Sequence, residues 1–69
     1  MNRRKFNRIK AVLAEQGKTN KWLAKELQMN PTTVSKWCRN DMQPRIETLF
    51  KIAEVLQVEV RDLLVSSCT

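Results

Sequence analysis

The chain has no histidine, one glycine, two prolines and two cysteines among its 69 residues. Each scarcity closes a route. Without histidine the commonest general acid–base group is missing, and two cysteines alone do not make a four-ligand zinc site. Cys38 has no histidine to activate it, and Ser35 has no evident base, so neither reads as a nucleophile. Glu26, Glu47, Glu54 and Glu59 are scattered rather than paired. Gly17 stands alone, which excludes a glycine-rich phosphate loop and disfavours a turn-rich β fold. Nothing in the sequence calls for a cofactor, a metal or an enzyme. With no sign of an oxidising compartment, Cys38 and Cys68 read as thiols. No apolar run approaches the ~20 residues that cross a bilayer. The basic N-terminus has no apolar stretch behind it, unlike a signal peptide. The expectation is a cytoplasmic chain forming one domain over residues 1–69.

What is present is positive charge, unevenly placed. The formal net charge is +6 and the pI about 9.9. Residues 1–45 hold eleven Lys/Arg against three Asp/Glu, a balance of +8, whereas residues 46–69 hold two against four, a balance of −2. A basic N-terminal part is either a solvated surface or the footprint of a polyanion.

The apolar residues recur at helical spacing in five short segments, predicting an all-α fold. Phe6, Ile9, Val12 and Leu13 mark the first, ended by Gly17. Thr19 or Asn20 can cap the second, which turns Leu23, Ala24 and Leu27 inward. Asn30 is a cap for the third and Pro31 suits its first position; the helix then runs to about Arg39, with Asn40 in the left-handed region. The fourth presents Ile46, Leu49, Ile52, Ala53 and Leu56 on one face. A fifth from about Val60 presents Leu63 and Leu64. The expected core adds Val34 and Trp37. Met29 and Phe50 read as packing residues, and Trp22 as half exposed.

The third helix carries the functional signal. At about 100° per residue, Val34, Trp37 and Cys38 share one side. Thr32, Ser35, Lys36 and Arg39 share the other, and no acid occurs between Glu26 and Asp41. Hydroxyls and cations on an acid-free face can meet phosphates and base edges. A helix with Leu23-Ala24, a tight turn, and a capped helix beginning Asn30-Pro31-Thr32-Thr33-Val34 form a helix-turn-helix layout.

In that order, Gly17, Thr19, Leu23-Ala24, Leu27, Thr33-Val34-Ser35, Pro44, Glu47-Thr48-Leu49, Ile52-Ala53, Leu56, Val58 and Leu63-Leu64 resemble the Cro/C1-type (xenobiotic-response-element) helix-turn-helix family. The resemblance spans Gly17 to Leu64. It implies a five-helix, lambda-repressor-like domain that binds double-stranded DNA as a regulator, a repressor, with the third helix in the major groove and a homodimer on the site. Carried onto this chain, Thr32, Thr33 and Lys36 fall at base-reading positions, Thr32 and Lys36 near the N-terminal end of that helix. Asn20, Lys21 and Arg45 fall at phosphate positions, joined by Ser35 and Arg39 on the same outer face. The last helix, with Val60, Leu64 and Val65, is the expected dimer contact.

The departures are informative. The family often has glycine where this chain has Gln28 and Asn40, so Gln28 must take an unfavourable backbone or change the turn. A frequent Arg–Glu pair between helices one and three is replaced by Leu13 and Cys38, which predicts that these two side chains approach each other in an apolar contact. Asp41 puts an acid near the expected DNA side. Two rival readings remain: a protein-interaction module of the antitoxin kind, using Trp22, Phe50 and Val65, and a basic first helix lying on an anionic membrane.

Overall fold

The computed structural model describes residues 5–65. Arg3, Arg4 and Cys68 lie outside them. Four α-helices follow one another: α1 Ile9–Glu15, α2 Asn20–Leu27, α3 Pro31–Cys38 and α4 Ile46–Leu56. The expected fifth helix is a single 3₁₀ turn, Val60–Leu63. Packing is pairwise: α2 lies on α3, α4 covers α2 and the 3₁₀ turn, and α1 bridges α3 and that same turn. No helix among the described residues is long and apolar enough to cross a membrane.

The caps are those the sequence offers. Thr19 Oγ1 accepts from Trp22 N at 3.0 Å, which chooses Thr19 over Asn20 as the cap of α2. Asn30 Oδ1 accepts from Thr32 N at 2.7 Å, with Pro31 in the first turn. All four α-helices end alike. The chain passes through the left-handed region at Gly17, Gln28, Asn40 and Gln57. In each case the next residue donates back five positions, as Met29 N does to Ala24 O at 2.9 Å and Val58 N to Ala53 O at 3.0 Å. This motif satisfies carbonyls that a helix end otherwise orphans. Gln28 thus keeps the turn and accepts the less favourable backbone.

The core holds Ile9, Val12, Leu13, Leu23, Ala24, Val34, Trp37, Cys38, Leu49, Ile52, Ala53, Leu56 and Leu63, with Leu27 partly buried against it. Each fully buried aliphatic side chain contributes about 1.5–3 kcal/mol of transfer free energy. Leu13 and Cys38 are both buried in this cluster, where an isolated charge at either position would be costly.

Phe6 is a correction: its side chain is 52% exposed. Residues 5–8 are not helical, so the period of 3.6 does not apply there. They form an isolated antiparallel bridge with the C-terminal segment at Asn7 and Leu64, Arg8 N donating to Leu63 O at 2.7 Å and Val65 N to Phe6 O at 3.0 Å. Alternation then turns Asn7 inward and Phe6 outward. Phe50, at 58% exposed, and Met29 are likewise on the surface rather than in the packing, and Ile46, expected on the inward face of the fourth helix, is exposed at its first position.

The inward Asn7 meets Asn40. Asn40 Oδ1 accepts from Phe6 N at 2.9 Å, Asn7 N at 3.1 Å and Gln43 Nε2 at 3.1 Å. Its Nδ2 donates to Asn7 O at 3.2 Å. Asn7 Nδ2 donates to Trp37 O at 3.0 Å and Gln43 Oε1 at 2.7 Å, and Asn7 Oδ1 accepts from Ile9 N at 3.0 Å, capping α1. Both asparagines are buried, and no buried side-chain polar atom among the described residues is left without a partner.

Glycine should therefore act oppositely at three left-handed positions. Gln28→Gly and Gln57→Gly relieve backbone strain and should each stabilise by about 0.5–1 kcal/mol. Asn40→Gly relieves the same strain but strips acceptors from buried donors, and should destabilise by about 1–3 kcal/mol. Urea unfolding of the three variants checks this. An Asn40→Gly protein as stable as Gln28→Gly would deny the amide network its role.

Candidate nucleic-acid interface

α2 and α3 meet around a shallow, open depression of ≈ 310 Å³ lined by Asn20, Lys21, Pro31, Thr32, Ser35 and Arg39. It lies where the start of α2, fixed by the Thr19 cap, faces the outer side of α3, fixed by the Asn30 cap and Pro31. Five of the residues expected from the sequence to meet DNA thus share one surface. No carboxylate lines it, and Lys21 and Arg39 bring positive charge.

The other three lie apart from that depression. Thr33 is half-buried on α3, and Lys36 is exposed on it. Because α3 is only eight residues long, Lys36 falls in its last turn rather than near its start, although it remains one turn from Thr32. Arg45 is exposed and immediately precedes α4. Trp37 is buried, with its ring unavailable for stacking on bases. Trp22 is half-buried, and Lys18 Nζ sits 4.6 Å from its ring centroid, a cation–π contact at the edge of the bundle.

Two contacts at this surface were not legible in the sequence. Cys38 Sγ donates to Asn20 Oδ1 at 3.2 Å, tying the end of α3 to the start of α2. Burial pushes the Cys38 thiol above its ordinary value, with Lys10 pulling the other way, so the donor keeps its proton at neutral pH. Arg39 Nε donates to Asp41 Oδ2 at 2.9 Å. The eighteen-residue separation of the first pair leaves no sequence signal; the second is signalled only by opposite charges two positions apart.

Two short helices in the helix-turn-helix arrangement, the second presenting a polar and cationic face, define a helix-turn-helix domain. The chain belongs to the Cro/C1-type helix-turn-helix family, whose helix-turn-helix model matches residues 9–63. Among solved structures it is similar to the "crystal structure of a putative DNA-binding protein from Bacteroides fragilis", with 47% identity, a TM-score of 0.84, and coverage of 86% of this chain and 95% of that one. Comparison with curated proteins finds no match.

The buried thiol makes a pH prediction. Its folded-state value lies above the unfolded one, so its contribution is fully present below the unfolded value and is lost as pH rises through the folded one. The ordinary value is 9.0. Between neutral pH and about pH 10, the wild type should lose more stability than Cys38→Ser, which keeps a donor for Asn20 but does not ionise. Paired urea titrations at the two pH values measure the difference, and equal losses would mean that the site tolerates a thiolate.

Proposed function

We propose that this chain is a sequence-specific regulator of transcription that binds double-stranded DNA and represses by occupying a promoter. The observation that carries the reading is the gathering of Asn20, Lys21, Thr32, Ser35 and Arg39 around one acid-free depression on a helix-turn-helix domain. α3 enters the major groove. Thr32, Thr33 and Lys36 address base edges there, threonine through a thymine methyl or a polar atom and lysine through guanine O6 and N7. Asn20, Lys21, Ser35, Arg39 and Arg45 hold phosphates and set the register. The similarity to a structure described as DNA-binding supports the same reading. The domain needs no cofactor and performs no chemistry of its own; a cytoplasmic location follows from this role.

One α3 reads one half-site, so the proposed unit on DNA is a homodimer on a two-fold site. Leu64 and Val65 are 42% and 40% exposed, which supports the end of the chain as the contact. Val60 continues that surface into an open depression shared with Phe50 and Val58. Selection of bound sites from random duplexes should return a palindrome with half-sites about one helical turn, roughly 10 bp, apart. Footprints of one protomer on a short asymmetric site would oppose the dimer.

Exposed Phe50 and Ile46 on α4 favour a second reading, an interaction module for another protein with DNA binding secondary. Salt-dependent binding to duplex DNA separates the two.

Base reading and phosphate gripping give different patterns. Lys36→Ala should cost about 1–3 kcal/mol on the selected site and relax preference at one base pair. Lys21→Ala should weaken all sequences about equally and lower the salt slope by about one ion. Binding to single-base site variants at several salt concentrations tests both. The reverse pattern would misplace the two helices on DNA.

A further inference from the structure

Asp41 is the only acid between Glu26 and Glu47, and on a surface that meets phosphates it ought to weaken binding. Its geometry gives it a use. The carboxylate accepts from Arg39 Nε at 2.9 Å, a short, charge-assisted contact. Arg39 in turn lines the same depression as Asn20, Lys21, Thr32 and Ser35. The two side chains differ in freedom: Arg39 is 59% exposed and Asp41 27%. Asp41 is also held through its backbone, its N–H donating to Lys36 O at 2.9 Å in the turn that follows the left-handed Asn40. The carboxylate is therefore the fixed partner and the guanidinium the one that is held. A guanidinium is planar, so engaging Nε sets the orientation of the whole fork and turns the terminal nitrogen on the opposite side away from the carboxylate.

We propose that Asp41 is a positioning and specificity-determining residue for DNA. It splints Arg39 so that the outward terminal nitrogen reaches a phosphate only when α3 is seated in its groove register. A duplex bound out of register meets the Asp41 charge without that compensation. The same residue therefore strengthens the matched complex and weakens the mismatched one. This rests on the reading of the chain as a DNA-binding protein.

The test uses the full chain, its selected duplex and a scrambled duplex of equal length, with Asp41→Ala, Asp41→Asn, Arg39→Ala and the Asp41→Ala/Arg39→Ala pair. An exposed ion pair adds little to stability, so melting temperatures should not change. Asp41→Ala should tighten binding to the scrambled duplex and loosen binding to the selected one, lowering the ratio between them about tenfold. Asp41→Asn keeps an acceptor for Nε and should recover most of the loss on the selected duplex. In the Arg39→Ala background, Asp41→Ala should no longer weaken the selected complex.

If Asp41→Ala melts early, the Asp41→Asn comparison carries the test: binding to the selected duplex near that of wild type, with tighter binding to the scrambled one, is the supporting result. Equal tightening on both duplexes, or the same loss in the Arg39→Ala background, overturns the proposal and leaves Asp41 a plain electrostatic penalty. If the wild type prefers its selected duplex while the ratio ignores Asp41, this inference alone falls. If the wild type shows no salt-dependent duplex binding, the DNA reading falls and takes this with it.

Discussion

The amide of Asn40 joins two parts of the chain that share no sequence neighbourhood, the segment before α1 and the turn after α3. Its oxygen takes the N–H groups of Phe6 and Asn7, and its own turn ends α3. Asn7 answers by binding Trp37 O and by capping α1 through Ile9 N. The segment so anchored pairs with the C-terminal residues through Arg8 N to Leu63 O. These are buried donors and acceptors, and leaving any one unmet costs more than the bond itself contributes. A core of this size has little margin to absorb such a cost. The direction of α3, and hence of every side chain on its outer face, is therefore bound to the segments before α1 and after the 3₁₀ turn.

The four residues from Cys38 to Asp41 show how densely that turn is used. Cys38 faces inward and holds Asn20 at the start of α2. Arg39 faces the depression. Asn40 turns into the core network. Asp41 comes back to Arg39. Consecutive residues of a helix can point only about 100° apart; the left-handed step at Asn40 breaks that sequence of directions and lets Asp41 return beside Arg39. An L-residue there is strained, and asparagine offsets the strain with an amide that glycine lacks.

Charge and exposed apolar surface are divided along the chain. The N-terminal part supplies most of the cations and the helix proposed to read DNA. The C-terminal part supplies α4, apolar inside at Leu49, Ile52, Ala53 and Leu56 and apolar outside at Ile46 and Phe50. The proposed dimer and the alternative protein interface both draw on this part of the chain. With a balance of −2 over residues 46–69 and +8 over residues 1–45, electrostatics favours the N-terminal part for the proposed polyanion contact.

Local chemistry alone determined much of this. The caps at Thr19 and Asn30, Pro31 at the head of α3, the left-handed ends at Gly17 and Asn40, and the inward faces of all four helices were legible because each depends on residues within one or two turns. The eight candidate DNA residues were legible as positions on such faces, and the resemblance to a known family ordered them. Tertiary structure decided the rest. Phe6 shared the helical spacing of Ile9 and Val12, yet its segment lies before α1 and is bridged to the C-terminal residues, so the helical period does not govern where Phe6 points. Gln28 took the left-handed backbone because the Schellman bonds there outweigh the strain. Phe50 fell on the surface because the core was already filled by its neighbours on α4. The Cys38–Asn20 bond and the Asn7–Asn40 network join residues far apart in sequence, and such pairs become visible only when packing brings their polar groups into one dry place where each must find a partner.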